Sequence, residues 1–423
     1  MPREMKNSGI EWIGEIPSHW KITKCKYISK FINGFAFDSK DFVSEYQYPI
    51  IRIGDITNGS IDFKNCLGVN DNEGLDDYRI QENDILLAMS GATVGKVGLS
   101  TNKCNAYINQ RVGIIRSNVF KYLFYNLQTS KFIEYILLQA SGSAQPNVSG
   151  TVYGEFTIPF PPFPEQEALS DFLDTKCAEI DAVIEKTKAT IEEYKALKQS
   201  IITEAVTKGI RGDRPMKDSF NIWYGDIPAE WDAQKLKYVF SIKKDIAGKE
   251  GYTVLSITQR GVIPKNTSSN EGQLAENYSN YQLVNVGDFA MNHMDLLTGW
   301  VDISKYEGVT SPDYRVFVLN DSVHNCKRYY LYLMQMCYFN KIFYGLGQGV
   351  SGMGRWRLQA DKFLNFTIPM PPIQEQQEIA DYLDLKCSEI DRLIGKKTQL
   401  LEEIETFKKS LIFDYVTGKK EVC

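Results

Sequence analysis

The chain has 423 residues, 43% of them hydrophobic and 24% charged, and its formal net charge is −5. This length suits two or three domains with separate cores. No apolar run reaches the roughly 18 residues of a membrane helix, and no secretory signal opens the chain; we expect a cytoplasmic protein. The eight cysteines form no C-x-x-C pair and the three histidines are far apart, which argues against a zinc or disulfide framework.

The chain opens on a run that recurs 211 residues later. IEWIGEIPSHWKITKCKYI at the start matches NIWYGDIPAEWDAQKLKYV at Trp, Gly, Ile-Pro, Trp and Lys positions. Tryptophan contributes a large buried area, and a residue before proline is restricted to extended backbone. Each copy is therefore predicted to form the packed, extended start of a module.

Short β-like runs separated by turn residues follow in both copies. The first module has YPIIRIGDI, NDILLAMSG and RVGIIRS before a helical segment, and the second has YTVLSI, GDFAMN and RVFVLN in the same order. This spacing predicts a sheet-rich, mixed α/β module. Little identity survives between the two interiors, so we expect one scaffold whose two copies do different work.

A 52-residue stretch closes each module. Residues 156–207 match 366–417 without a gap and with 25 identities. The Pro-rich segments PFPPFPE and PMPPIQE suit the first turn of a helix. Downstream, a 3-4 apolar spacing predicts a coiled-coil seam that also docks a partner, with these positions: Leu173, Ile180, Ile184, Ile191, Tyr194, Ile201, Leu383, Ile390, Ile394, Leu401, Ile404 and Leu411. Apolar residues beside the seam indicate further helices packing there.

The repeat predicts a mixed α/β (α+β) fold with an internal pseudo-twofold. Its expected segments are a module at 1–159, a long helix at 160–210, a second module at 211–369, and a second long helix with a tail at 370–423. The two helices are expected to pack antiparallel. The helical segments carry net charges of −4 and −3, which leaves +2 for the two modules together. The modules are thus compatible with a phosphate backbone.

The sequence shows none of the catalytic motifs whose residues and spacing would be diagnostic. GATVGKV at 91–97 has three residues between its glycines where a phosphate-binding loop has four, and Val97 stands where Ser or Thr would bind magnesium. Neither an N-P-P-[YF] tetrapeptide nor a G-x-S-x-G elbow occurs. We therefore predict a chain with no catalytic residues, no metal and no cofactor of its own.

Polar and basic residues on predicted loops are the candidates for DNA contact. Arg and Lys can bind guanine edges or phosphates, and Asn and Gln can bind adenine. The Gly-rich loop GLGQGVSGMGRWR is the most suggestive segment, because its backbone could approach a groove. The predicted DNA-binding residues are Arg52, Lys96, Asn109, Gln110, Arg111, Gln145, Asn147, Arg260, His293, Arg315, Gln348, Ser351, Arg355 and Arg357.

The chain resembles the specificity subunit of type I restriction–modification systems. The resemblance rests on the duplicated layout, the two I-P-x-P-P-x-x-E-Q segments at 158–166 and 368–376, and the opening W-x-G-x-I-P. It also rests on the L-D-x-K and E-I-D signatures at 173–181 and 383–391. It covers essentially the whole chain.

The resemblance implies a non-catalytic, DNA-binding subunit. Each module would be a target recognition domain reading one half of a bipartite, asymmetric site on double-stranded DNA. The helices would fix the gap and dock two methyltransferase (modification) subunits, with restriction/translocase subunits joining. S-adenosylmethionine and ATP/Mg would then be bound by those partners. The family's base-reading positions vary with the target, so the loop residues above rest on residue type alone.

Two other functions remain open from the sequence. The chain could be a coiled-coil scaffold whose modules bind proteins rather than DNA. It could also be catalytic itself, which methyl transfer by the isolated chain would establish. Salt-sensitive, sequence-selective DNA retention separates the first alternative from a DNA-binding subunit.

Overall fold

A computed structural model describes residues 3–38, 40–57, 59–64, 66–70, 74–100, 105–140, 148–266, 277–349 and 356–422. The chain forms two compact units: unit 1 comprises Met1–Lys188 with Gln399–Cys423, and unit 2 comprises Ala189–Thr398. Long helix 1, Phe163–Lys208, begins in unit 1, and long helix 2, Ile373–Val416, begins in unit 2. These bounds lie within the predicted helical segments. The four-segment domain division itself stays a prediction.

Unit 1 is built around a four-stranded antiparallel sheet in the order Lys30–Asn33, Val112–Arg116, Ile85–Ala88 and Val97–Leu99. The second central strand, ILLA, is buried throughout because its alternate side chains enter two different cores. The other strands are Met5–Asn7, Glu15–Pro17, Lys21–Lys24, Tyr48–Ile51, Leu67–Val69, Tyr107–Ile108 and Thr157–Phe160, and the short helices are Phe120–Leu127, Ser130–Ala140 and Gly150–Glu155.

Unit 2 repeats this sheet. Its order is Phe240–Lys243, Arg315–Leu319, Phe289–Met291 and Val301–Ile303, again antiparallel. The other strands are Met216–Asp218, Asp226–Pro228, Asp232–Lys235, Leu255–Thr258, Gly261–Pro264, Gln282–Val284, Gly308–Thr310 and Thr367–Met370. The short helices are Leu236–Val239, Lys327–Phe339, Ile342–Gly345 and Ala360–Asn365.

The start of each long helix is tied to its own unit by matching side chains. In unit 1 the Trp20 indole donates to Glu165 at 2.8 Å, and in unit 2 the Trp231 indole donates to Glu375 at 2.9 Å. Buried indole N–H groups need such partners. The Trp and Glu residues that repeat in the sequence therefore fix the same junction twice.

Within each unit, the two long helices pack side by side and antiparallel. Leu173 and Cys177 share the unit 1 core with Leu411, and Ile202 shares the unit 2 core with Leu383. Ion pairs repeat the arrangement: Asp181 with Lys408 at 2.6 Å in unit 1, and Asp391 with Lys198 at 2.7 Å in unit 2. The predicted fold class, a mixed fold with two long paired helices and an internal repeat, is confirmed.

All twelve predicted seam residues are at least partly buried. Leu173, Ile184, Ile191, Leu383, Ile390 and Leu411 are buried, and the other six, Ile180, Tyr194, Ile201, Ile394, Leu401 and Ile404, are half-buried. Among the described residues, no helix has the length and apolarity needed to cross a bilayer. In the same residues, no group of three or more His, Cys, Asp or Glu side chains is placed to hold a metal ion.

Candidate nucleic-acid interface

In unit 2 the sheet brings three predicted residues to one end. Arg315 is the first residue of its strand and pairs with Met291, the last residue of the neighbouring strand. His293 follows that strand, and its backbone carbonyl accepts the Leu358 N–H at 3.0 Å. Arg357 therefore lies next to the residue bonded to His293. A cluster of two arginines and one histidine forms at this end of the sheet.

Arg315 is a buried cation with incomplete pairing. Its side chain is 5% exposed, and Nη2 donates to the Leu358 carbonyl at 2.8 Å. Its guanidinium carbon stands 4.9 Å from the centre of the Phe363 ring, in cation–π geometry. Nη1 has no hydrogen-bond partner. Burial lowers the pKa of Arg315 to about 10, so the group remains positive at neutral pH.

His293 is held neutral beside it. Burial, together with the positive charges of Arg315 and Arg357, lowers the pKa of the imidazole from 6.5 to about 4. Its Nδ1 is buried without a hydrogen-bond partner. Neither arginine forms an ion pair with a described carboxylate. The cluster therefore carries uncompensated positive charge, which suits an anionic or base-edge ligand.

The remaining unit 2 candidates are more exposed. Arg260 occupies the two-residue turn of the hairpin formed by Leu255–Thr258 and Gly261–Pro264 and is exposed. Gln348 is exposed, and its backbone pairs with that of Arg357 in both directions, at 2.9 and 3.1 Å. Ser351 and Arg355 lie outside the described residues. Gln348 is therefore joined to the cluster, whereas Arg260 sits on a separate hairpin.

Unit 1 gathers its candidates at the matching end of its own sheet. Asn109, Gln110 and Arg111 form the turn that enters Val112–Arg116, with Gln110 and Arg111 exposed. Met89 occupies the position in unit 1 that His293 occupies in unit 2. Its N–H donates to the Arg111 carbonyl at 2.9 Å.

Two further candidates of unit 1 reach the same place. Lys96 is half-buried, and its carbonyl accepts the Ala88 N–H at 2.9 Å, on the other side of the central strand. The Asn109 N–H donates to the Ile51 carbonyl at 3.0 Å, which brings Arg52 alongside. Arg52 is held by Asp55, with Nε 3.2 Å from Oδ2. Gln145 and Asn147 lie outside the described residues.

Aromatic residues near the unit 2 cluster were missed by the sequence analysis. The Trp356 indole donates to the Tyr344 carbonyl at 2.7 Å, and the two rings stand 5.7 Å apart. Trp356 directly precedes Arg357, and such aromatic faces can stack on bases. The R-W-R triplet in the sequence was a usable signal for this neighbourhood.

The apolar flank of the coil was also only partly anticipated. In each long helix, the residue just before every second position of the 3-4 seam spacing falls on the same side of the antiparallel helix pair. In unit 1 these are Val183, Leu400 and Phe407, with Val183 49% and Phe407 56% exposed. In unit 2 they include Leu197 and Leu393, which are also exposed. Because the seam is occupied by helix pairing, this flank offers the apolar surface that a further helix could cover.

Comparison with known proteins identifies the family. The family model for the type I restriction modification DNA specificity domain matches the chain twice, at residues 17–193 and 228–406. The chain belongs to this family.

Several relatives extend over most of the chain. It is 26% identical to the type I restriction enzyme MjaVIII specificity subunit of Methanocaldococcus jannaschii, over 81% of this chain and 80% of that protein. It is 28% identical to the putative MjaX specificity subunit of the same organism, over 97% and 96%. A solved chain from a study of complex assembly and conformational transition of the type I R-M system shares the fold, with a TM-score of 0.66 and 16% identity. That match covers 96% of this chain and 99% of the solved one.

Proposed function

We propose that this chain is the sequence-specific DNA-binding subunit of a type I restriction–modification complex. Each unit reads one half of a bipartite, asymmetric site on double-stranded DNA. One observation carries the proposal: in each unit, most of the described candidates lie at the equivalent end of that unit's own four-stranded sheet, beside loops of unrelated sequence. A shared scaffold with different loops suits two readers of different half-sites.

Charge supports the assignment of these sheet ends to DNA. Arg315 and Arg357 carry no described carboxylate partner, and Lys96, Gln110 and Arg111 surround the matching position in unit 1. Guanidinium groups bind phosphates or guanine edges in paired geometry, and amides bind adenine. The acidic residues are concentrated on the long helices instead, where they would be repelled by a DNA backbone.

The long helices are proposed to fix the gap between half-sites and to dock two methyltransferase subunits. The exposed flank supports this, since Val183 and Phe407 in unit 1 occupy positions equivalent to Leu393 and Leu197 in unit 2. Two equivalent apolar flanks suit two copies of one partner. Burying such side chains contributes roughly 1.5–3 kcal/mol each.

The chain is proposed to contribute no catalytic group. S-adenosylmethionine and ATP/Mg would be bound by methyltransferase and restriction/translocase subunits, in a cytoplasmic complex. The best sequence candidate for a nucleotide loop, Gly91–Thr93 and its flanks, forms a short turn before the strand Val97–Leu99. Lys96, the basic residue of this motif, lies at the end of the sheet that is proposed to bind DNA.

The proposal is tested by selecting bound sequences from a randomised duplex library, with the chain assembled with its methyltransferase. We expect two short defined elements separated by an undefined gap. Arg357→Gln should weaken binding about tenfold and relax or weaken the half-site read by unit 2 only. Arg111→Gln should act on the other half-site.

Matched controls lie at the opposite end of each sheet. Lys305 follows the strand Val301–Ile303, and Lys30 pairs with Arg116 at the far end of its strand. Lys305→Gln and Lys30→Gln remove the same charge and should leave the selected sequence unchanged. Retention of DNA without sequence preference, at any salt concentration, would instead favour the scaffold alternative, in which the modules bind proteins.

A further inference from the structure

A hairpin in unit 2 displays two large apolar side chains at its turn. Its strands are Met216–Asp218 and Asp226–Pro228. In the turn between them, Phe220 is 93% exposed and Ile222 is 91% exposed. Isolated exposed apolar residues are ordinary on protein surfaces, but two almost fully exposed ones in the same hairpin loop form a defined projection. We call Phe220 and Ile222 the apolar knob.

The fold does not require this knob, because unit 1 builds the same turn without it. The Gly9 N–H donates to Asn7 Oδ1 at 2.8 Å, as the Phe220 N–H donates to Asp218 Oδ1 at 2.7 Å. The next N–H in each turn bonds to a serine hydroxyl, Ser8 or Ser219, at 3.1 and 3.2 Å. The two turns are therefore the same structure with different side chains.

The backbone at the knob favours glycine. Phe220 has φ +56°, in the left-handed region, and Gly9 occupies the equivalent position with φ +75°. Left-handed backbone is strained for a residue with a Cβ and unstrained for glycine. Phe220 thus adds both backbone strain and exposed apolar area where a glycine would serve the fold better. Such a combination points to a contact made outside the chain.

The inward and outward positions are also exchanged between the turns. In unit 1, Ile10 packs against the core and Glu11 faces solvent. In unit 2, Asn221 turns inward and donates to the Thr367 carbonyl at 3.0 Å, while Ile222 faces solvent. The apolar residue has moved from the inside of the turn to the outside. One unit alone therefore presents the knob.

Charges around the knob favour a protein over DNA. Asp218 and Asp226 flank it on the paired strands, are exposed, and form no ion pair with any described residue. Two unpaired carboxylates repel phosphates. They suit a pocket with an apolar floor and a basic rim.

The hairpin is joined to the proposed docking element. Arg214, just before the hairpin, pairs with Glu375 in the first turn of long helix 2 at 2.6 Å, and Trp231, just after it, bonds to the same glutamate. A partner that covers the first turn of long helix 2 would therefore also meet this hairpin.

We propose that the apolar knob is an extra contact for one of two methyltransferase subunits, inserted into an apolar, basic-rimmed pocket of that subunit. This rests on the proposed function, and it makes the two docking sites unequal. The copy on the unit 2 side gains Phe220 and Ile222, whereas the other copy meets Gly9 and Glu11. Large apolar side chains seated in pockets dominate the affinity of protein interfaces.

The test is a titration of the full chain with purified methyltransferase subunit of the same system, followed by native mass spectrometry. The wild type should bind the first copy about 30-fold more tightly than equivalent sites would allow. The double variant Phe220→Gly with Ile222→Glu copies the unit 1 turn and should remove this difference. Because glycine relieves the left-handed strain, the thermal unfolding midpoint of the double variant should not fall below that of the wild type. Val286→Glu, at an exposed apolar residue elsewhere in unit 2, should leave the ratio unchanged.

The outcomes separate this inference from the proposed function. If the wild type binds no methyltransferase, both are wrong. If two copies bind with the same ratio in the wild type and the double variant, the knob is not a docking contact and the proposed function stands. A variant that loses DNA affinity alone, or a wild-type self-association that the variant abolishes, would assign the knob to DNA or to a second copy and overturn the inference.

Discussion

Arg315 holds a buried positive charge that its surroundings pair only in part. Its Nη1 is unpaired, no described carboxylate faces it, and its pKa of about 10 keeps it charged. Replacing an uncompensated buried charge by an apolar residue of similar size is often neutral or stabilising. Retention of the charge therefore suits ligand binding better than stability.

We expect Arg315→Met to keep or raise the thermal unfolding midpoint of the protein. The same change should lower affinity for the selected DNA by about tenfold and reduce its salt dependence, since a cation near the phosphates is removed. Calorimetry and DNA titrations at several salt concentrations measure the two effects. A variant that unfolds early but binds DNA normally would show that Arg315 is structural.

His293 gives a pH dependence with a defined direction. Its pKa falls from 6.5 to about 4 because of burial and the two arginines. The unfolded chain therefore binds a proton that the folded chain refuses, and the unfolding free energy decreases as pH falls from 6.5 towards 4. At pH 5 the loss is about 2 kcal/mol. Well above pH 6.5 the imidazole is neutral in both the folded and the unfolded chain, so no stability is lost there.

His293→Gln isolates that effect. Urea unfolding followed at pH 7 and pH 5 should show a smaller difference for the variant than for the wild type, and NMR titration should place one imidazole pKa near 4. An imidazole of His293 titrating near 6.5 would contradict the buried, cation-flanked environment. The other two histidines, His19 and His324, are exposed.

At the scale of elements, two adjacent residues of long helix 1 separate folding from docking. Ile184 is 6% exposed in the seam, and Val183 is half-exposed on the flank. A carboxylate buried in the seam would have no partner to compensate its charge. Ile184→Asp should therefore lower the free energy of unfolding by about 3–5 kcal/mol. Val183→Asp should leave stability almost unchanged but weaken methyltransferase binding.

Thermal unfolding and partner titration of both variants check this division. Phe407→Asp, at the flank position in the other helix of unit 1, should reproduce the effect of Val183→Asp. If Val183→Asp unfolds the coil as strongly as Ile184→Asp, the seam phase is wrong. If neither flank variant affects the partner, the flank is ordinary surface.

The sequence predicted the long helices well because their signal is local and periodic. Each observed helix begins three residues inside its predicted segment, at Phe163 and Ile373, and the seam phase placed twelve residues in partly or fully buried positions. Strand order and register were not predictable, because pairing depends on distant partners. The strand Val112–Arg116, for example, pairs with Ile85–Ala88 and with Lys30–Asn33, which are both distant from it along the chain.

The sequence indicated which residue types would form the candidate site, but it did not indicate how deeply each side chain would be buried. Arg315 opens its strand and is buried, whereas Arg111 lies in the turn before its strand and is exposed. The difference comes from Leu358 and Phe363, which contact Arg315 from a segment more than 40 residues away. No local sequence pattern around either arginine predicts that Leu358 and Phe363 contact Arg315 and bury it. The exposed knob was missed because only comparison of two folded turns reveals it.

For the whole molecule, the repeated ion pairs define a register that the proposed spacer must keep. Asp181–Lys408 and Asp391–Lys198 are related by the same 210-residue shift. Their side chains are partly exposed, so each pair contributes only about 0.5 kcal/mol or less. They mark the antiparallel register, and the apolar seam supplies its stability.

This register permits a change of spacer length that leaves both recognition units untouched. Deleting residues 186–192 and 396–402 removes one heptad from each helix and preserves the seam phase on both sides. The helices shorten by about 10 Å, which corresponds to about three base pairs at 34 Å per turn of DNA. On the proposed function, the selected site should keep both half-site sequences and lose about three base pairs of gap. Deleting a heptad from one helix alone puts the paired seams out of register, so that variant should lose assembly. An unchanged gap in the double deletion would show that the helices do not set the distance between half-sites.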